Sequence, residues 1–143
     1  MATPQARPTR VLVVDDDAGV RALCSQTLRS AGYDVLEAED GQCGLELARS
    51  EGPALALLDV EMPLLDGFEL AEALRGDSRT RAIPVVFVSG EADSANYARA
   101  RALGAAGFLP KPFDLHTLRS LVALVAGDRS ASDASIHGDA SPA

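Results

Sequence analysis

Six polar side chains stand where short apolar runs give out. Asp15, Asp16 and Asp17 follow Val11–Val14 directly, Asp59 follows Ala54–Leu58, Ser89 follows Val85–Val88, and Lys111 comes just after Phe108–Leu109. Carboxylates gathered in one place repel: two unit charges 4 Å apart are worth about 4 kcal/mol at an effective dielectric of about 20. A cation must balance them, and an all-oxygen set with few protein ligands suits Mg²⁺. Lys111 adds a second positive charge and Ser89 a hydroxyl. A metal-charged pocket with an ammonium and a hydroxyl suits a phosphoryl group, and a carboxylate inside it can attack phosphorus and become an acyl phosphate.

This chemistry requires elements that bring the four run ends together. The apolar runs are Val11–Val14, Val35–Leu36, Ala54–Leu58, Val85–Val88 and Phe108–Leu109, and helix-period stretches alternate with them. Val20, Leu23, Cys24, Thr27, Leu28 and Ala31 share one helical face, with Gly32 placed as a C-terminal glycine. Leu45, Leu47 and Ala48 form a weaker pattern. Phe68, Leu70, Ala71 and Leu74 predict a third helix, and Ala95, Ala98, Ala102 and Leu103 a fourth that ends at Gly104. Asp114 is placed to cap a fifth, which carries Leu115, Leu118, Leu121, Val122 and Val125. Five strand–helix units in succession predict an α/β fold, a parallel sheet covered by helices on both faces. Runs apolar at successive positions fit strands buried on both sides. With strand order 2-1-3-4-5, the first and third strands flank the point where the order reverses, and ligands bind there beyond the carboxyl ends. Asp15, Asp16 and Asp59 then converge, with Ser89 and Lys111 on the same edge.

The 143 residues suit one domain, and 47% apolar content is enough for a core. A net charge of -8 argues against a nucleic-acid-binding surface. Cys24 and Cys43 lack metal-ligand spacing and read as buried or half-buried helix residues. The longest early apolar run is too short for a signal-peptide core or a membrane span, so a cytoplasmic protein is expected. Residues 1–9 read as a flexible leader and 10–126 as the domain. Residues 127–143, rich in Ser, Ala, Gly and Asp with only Ile136 able to pack, read as a disordered tail. His116 and His137 have no companions at ligand spacing.

The runs VLVVDDD (11–17), LLDVEMPLLDG (57–67), FVSG (87–90) and GFLPKPF (107–113) resemble the response-regulator receiver family of two-component signalling, in its order and spacing, across about residues 10–126. The resemblance implies a flavodoxin-like doubly wound sheet of five strands with five helices. It makes Asp59 the phosphoacceptor, Asp16 a direct Mg²⁺ ligand, Asp15 a mostly water-mediated one, and the main-chain carbonyl of Glu61 a further ligand. Ser89 takes the hydroxyl switch position, Lys111 the phosphate-contacting one and Phe108 the aromatic switch. The Lys111–Pro112 peptide is expected to be cis. The implied activity is self-catalysed phosphotransfer from the phosphohistidine of a sensor histidine kinase or phosphotransfer protein, then dephosphorylation, rather than sustained turnover. Output would pass to a protein target through the face of the fourth helix, fifth strand and fifth helix.

Some residues depart from the commonest family patterns. Glu61 and Glu91, two places beyond Asp59 and Ser89, border the phosphoryl position and are expected to tune reaction rates, unless both point to solvent. GAAGFL puts Ala106 and Gly107 where family members that dimerise on DNA carry acids, although basic residues Arg99 and Arg101 are present, so that style of dimer is not expected. A stand-alone receiver is. Asp17 reads as a cap or solvated carboxylate. A rival from another class is a haloacid-dehalogenase-type phosphatase using Asp15 and Asp17. It leaves Asp59 without a role and meets Ala18-Gly19 where a threonine or valine is expected. A phosphate-independent interaction module on the same fold is a third reading.

Overall fold

The computed structural model describes residues 8–127. The expectations for residues 1–7 and for the tail from residue 128, with Ile136 and His137, lie outside the described residues. Five strands alternate with five helices: β1 (Arg10–Val14), α1 (Ala18–Ser30), β2 (Asp34–Ala38), α2 (Gly41–Glu51), β3 (Leu55–Asp59), α3 (Gly67–Arg75), β4 (Val85–Ser89), α4 (Ser94–Ala102), β5 (Gly107–Pro110) and α5 (Leu115–Ala126). The strands form one parallel sheet in the order β2-β1-β3-β4-β5, as expected. No helix among the described residues is long and apolar enough to cross a membrane.

The two-residue alternation of a strand divides the core. Leu12, Val14, Ala56, Leu58, Val85 and Phe87 pack under Leu45, Ala48, Phe68, Leu70 and Leu74 of α2 and α3. Their neighbours Val11, Val13, Val35, Leu55, Leu57, Val86 and Val88 pack against Cys24 and Leu28 of α1 and Leu118 and Val122 of α5. Every helix begins with an aspartate N-cap (Asp17, Asp40, Asp66, Asp93 and Asp114) whose side chain accepts from amides of the first turn. Such caps contribute about 1 kcal/mol each. Five of the chain's acids are therefore structural, including Asp17, which accepts from Gly19 N and Val20 N. Asp66-Gly67 starts α3, reinforced by a capping box with Glu69.

Two helical faces differ from the sequence reading. On α1, Cys24, Thr27 and Leu28 are buried as expected, but Leu23 is 45% exposed and Ser25 fully buried. On α4, Ala95, Ala98 and Ala102 face solvent, Leu103 is half-buried and Ala100 alone is buried. Alanines make both faces of α4 look alike, so local periodicity could not choose between them.

Arg75, unremarkable in the sequence, ties the end of α3 to two later segments. Its guanidinium donates to the carbonyls of Ile83 (2.9 Å), Arg81 (2.9 Å) and Leu103 (3.3 Å). Arg75→Met keeps the stem and removes the donors. The variant is expected to lose about 1 kcal/mol in urea unfolding, the net worth of hydrogen bonds to carbonyls that are only partly buried. An unchanged midpoint would refute that role.

Candidate functional site

The site lies on the carboxyl edge of the sheet, and strand register builds it. Val14 pairs with Leu58, so Asp15 and Asp59 are the next residues on adjacent strands. Both are 3% exposed. Asp59 pairs with Val88 on the other side, which sets Ser89 one step further along β4, and Ser89 pairs with Pro110, which delivers Lys111. The Lys111 N–H donates to the Ser89 carbonyl at 2.7 Å, and the Lys111–Pro112 peptide is cis.

From there the Lys111 side chain crosses the strand ends. Its Nζ lies 3.3 Å from Asp15 Oδ2 and 3.2 Å from Asp59 Oδ1. Asp15 is further held by the amide of Asp17, which donates to its Oδ1 at 2.9 Å, and its carbonyl accepts from Arg21 at 2.7 Å. Asp15, Asp16 and Asp59 each present a carboxylate oxygen, and these atoms lie within 4.8 Å of one another. Asp16 is exposed and Asp17, engaged as a cap, stands outside this group.

Three carboxylates face one ammonium, so negative charge is in surplus. Burial first, and then the charge of Asp15, push the Asp59 carboxyl up to about 7 against the opposing pull of Lys111. Burial works against the Lys111 ammonium, but the charges of Asp15 and Asp59 outweigh it and hold its pKa above the usual value. Hard oxygen donors, close spacing, surplus charge and one exposed ligand open to water fit a small divalent cation that keeps part of its hydration, as Mg²⁺ does. Burial first, and then the charge of Asp15, push the Cys24 thiol up to about 11, away from the thiolate form.

Ser89 is fully buried. Its hydroxyl donates to Glu61 Oε2 at 2.5 Å, with the Glu91 carbonyl at 3.2 Å, and accepts from the Glu91 N–H at 2.9 Å. Glu61 Oε1 accepts from the Gly90 N–H at 2.9 Å. Of the two acids expected to border the site, Glu61 thus turns inward onto Ser89. Glu91 meets Ser89 through its main chain. Phe108 is half-buried against the α2–α3 side of the core, and the ring of Tyr97 from α4 covers it at 4.3 Å between centroids. Tyr97 and Arg21 were not legible as site neighbours; a cation one turn after the acidic run was the only signal for Arg21. Arg99, considered for a dimer contact, lies 3.7 Å from Glu72 and over the Phe68 ring. His116 is exposed on α5.

The family model of the response regulator receiver domain matches residues 11–123. The chain is 37% identical over 119 residues to Protein PilH of Pseudomonas aeruginosa, covering 82% of this chain and 98% of that protein. It is 38% identical over 113 residues to the DNA-binding dual master transcriptional regulator RpaA of Synechocystis sp., covering 79% of this chain but 47% of RpaA, so it spans about half that relative's length. The solved structure of the Vibrio cholerae chemotaxis protein CheY4 matches with a TM-score of 0.80 at 34% identity, over 83% of this chain and 99% of that one.

Proposed function

Because this chain belongs to the response-regulator receiver family, we propose that Asp59 accepts a phosphoryl group from the phosphohistidine of a sensor histidine kinase or phosphotransfer protein. The observation that carries this reading is Lys111 Nζ seated between the buried carboxylates of Asp15 and Asp59, with Asp16 within reach of a shared cation. Receiver domains bind Mg²⁺ at such an acidic pocket. Here Asp16, Asp59, the main-chain carbonyl of Glu61 and, through water, Asp15 would hold it. When bound, the ion neutralises phosphoryl oxygens and the surplus carboxylate charge.

An Asp59 carboxylate oxygen bonds to phosphorus as the P–N bond of phosphohistidine breaks, and the electron pair stays on the imidazole nitrogen. Lys111, drawn to the arriving oxygens, stabilises their charge. Ser89 then turns its hydroxyl to a phosphoryl oxygen, and Phe108 moves inward. The face of α4, β5 and α5 changes and engages a protein target in the cytoplasm, a shift between two pre-existing arrangements. Hydrolysis resets it. The negative charge of -8 favours a protein target over nucleic acid. The phosphatase rival loses support because Asp17 is committed to capping α1.

The decisive experiment is incubation with Mg²⁺ and a small acyl-phosphate donor, followed by intact mass. The native protein is expected to gain one phosphoryl mass and Asp59→Asn none. A gain retained in Asp59→Asn, or steady turnover of the donor without any label, would overturn the assignment.

A further inference from the structure

The Glu61 carboxylate holds two donors at once. The Ser89 hydroxyl and the Gly90 N–H converge on its two oxygens from the end of β4. Together an O–H and an N–H aimed at one anionic group make a small anion-binding corner, and Glu61 fills it from within the same chain. Glu61 is itself exposed at the surface, so this inward reach is a choice of rotamer rather than enforced burial. The donor end of the contact is locally supported. The Glu91 N–H donates to Ser89 Oγ, and Asn96 donates to the Glu91 carbonyl at 2.8 Å, bracing the segment that presents the donors.

We propose that Glu61 is a positioning residue that occupies the Ser89–Gly90 donor pair in the resting protein as an internal stand-in for a phosphoryl oxygen, and that phosphorylation must displace it. This rests on Asp59 being the phosphoacceptor, since only then does a phosphoryl group arrive beside Ser89. The contact gives the resting arrangement an anion of its own, so Ser89 is not free to turn until a stronger acceptor competes. The displaced carboxylate has room. Glu61 also lines an open groove of about 360 Å³ between the starts of α3 and α4, which it shares with Asp66, Glu91, Asn96 and Arg99. A charge-assisted hydrogen bond lost and regained sets the scale, about tenfold in rate.

Three variants separate this clamp from simple charge repulsion. Glu61→Ala removes both the carboxylate and its reach. Glu61→Asp keeps the charge but is one methylene too short to hold both donors. Ser89→Ala reports the hydroxyl end. In the protein without Mg²⁺ or donor, the Gly90 amide proton resonance is expected to move upfield in Glu61→Ala and Glu61→Asp alike. With Mg²⁺ and a small acyl-phosphate donor, both are expected to label Asp59 about tenfold faster than native protein, and the gain is expected to shrink in a Ser89→Ala background. A Gly90 resonance unmoved by Glu61→Ala would overturn the clamp. So would Glu61→Asp labelling at the native rate while Glu61→Ala is faster, because charge alone would then explain the effect. If native protein takes no label on Asp59, the phosphoacceptor reading fails; the amide resonance still decides whether the Glu61 contact exists.

Discussion

In Mg²⁺-free buffer at pH 8, Asp59→Asn is expected to be more stable than native protein by about 2–4 kcal/mol, although it destroys the residue proposed to accept phosphate. The cause is burial of the Asp59 carboxyl first, and the neighbouring charge of Asp15 second. Burial and Asp15 raise the Asp59 carboxyl from 3.8 to about 7 in the folded state. Between those values the native state keeps the proton and the unfolded chain releases it. Stability therefore falls as pH rises through that window and levels off above the folded value. Below the unfolded value both states are protonated and the penalty vanishes. An asparagine carries no charge at any of these pH values, so the variant lacks this slope. The gap between the two proteins should close as pH is lowered from 8 toward 4. Added Mg²⁺ should close it from the other side, by stabilising the native protein far more than the variant. Urea unfolding at pH 5 and pH 8, with and without Mg²⁺, reads all four conditions. Parallel pH dependence in both proteins would show that Asp59 carries no such burden.

Among the described glycines, Gly67→Ala should be the most damaging replacement by alanine. Gly67 opens α3 and is buried, and a Cβ there would lie 2.4 Å from the Asp59 carbonyl oxygen and 2.9 Å from both the Asp59 carbonyl carbon and the Val60 Cα. All three are backbone atoms, so no flexible side chain can yield, and the helix start or the end of β3 must move. We expect a loss of about 3 kcal/mol or more, at the upper end for overpacking. Labelling of Asp59 should slow by about tenfold or more, because a misplacement on the order of 1 Å disrupts attack geometry. Gly52→Ala is the comparison. Gly52 has φ +55 with nothing within 4 Å of an added Cβ, so it should lose only about 1–2 kcal/mol from left-handed backbone strain and label at the native rate. Equal unfolding midpoints for the two variants would remove the argument for close approach at Gly67.

These two expectations draw on different depths of information. The positions of Asp15, Asp59, Ser89 and Lys111 were legible because a strand that runs apolar at successive positions must lie inside a parallel sheet, and parallel strands all present their carboxyl ends to one edge. Once the order β2-β1-β3-β4-β5 is adopted, adjacency of Asp15 and Asp59 follows from register alone. Asp114 was legible as a cap for a similar reason, since a helix start is satisfied locally. Asp17 stood open between a cap and a solvated carboxylate until its bonds to Gly19 and Val20 decided it. The exposed side of α4 was not legible, because Ala95, Ala98, Ala100 and Ala102 offer no local contrast and only packing onto the sheet selects Ala100.

The sequence alone determined which chemical groups this protein carries to one sheet edge and in what order, because strand burial and helix capping depend on residues near in the chain. Tertiary structure decided where the groups point. Glu61 turning onto Ser89 and Gly90, Tyr97 lying over Phe108 and Lys111 reaching both aspartates depend on rotamers chosen by partners distant in sequence. No local pattern encodes such a choice; it is settled only when the strands and helices that carry both partners have packed.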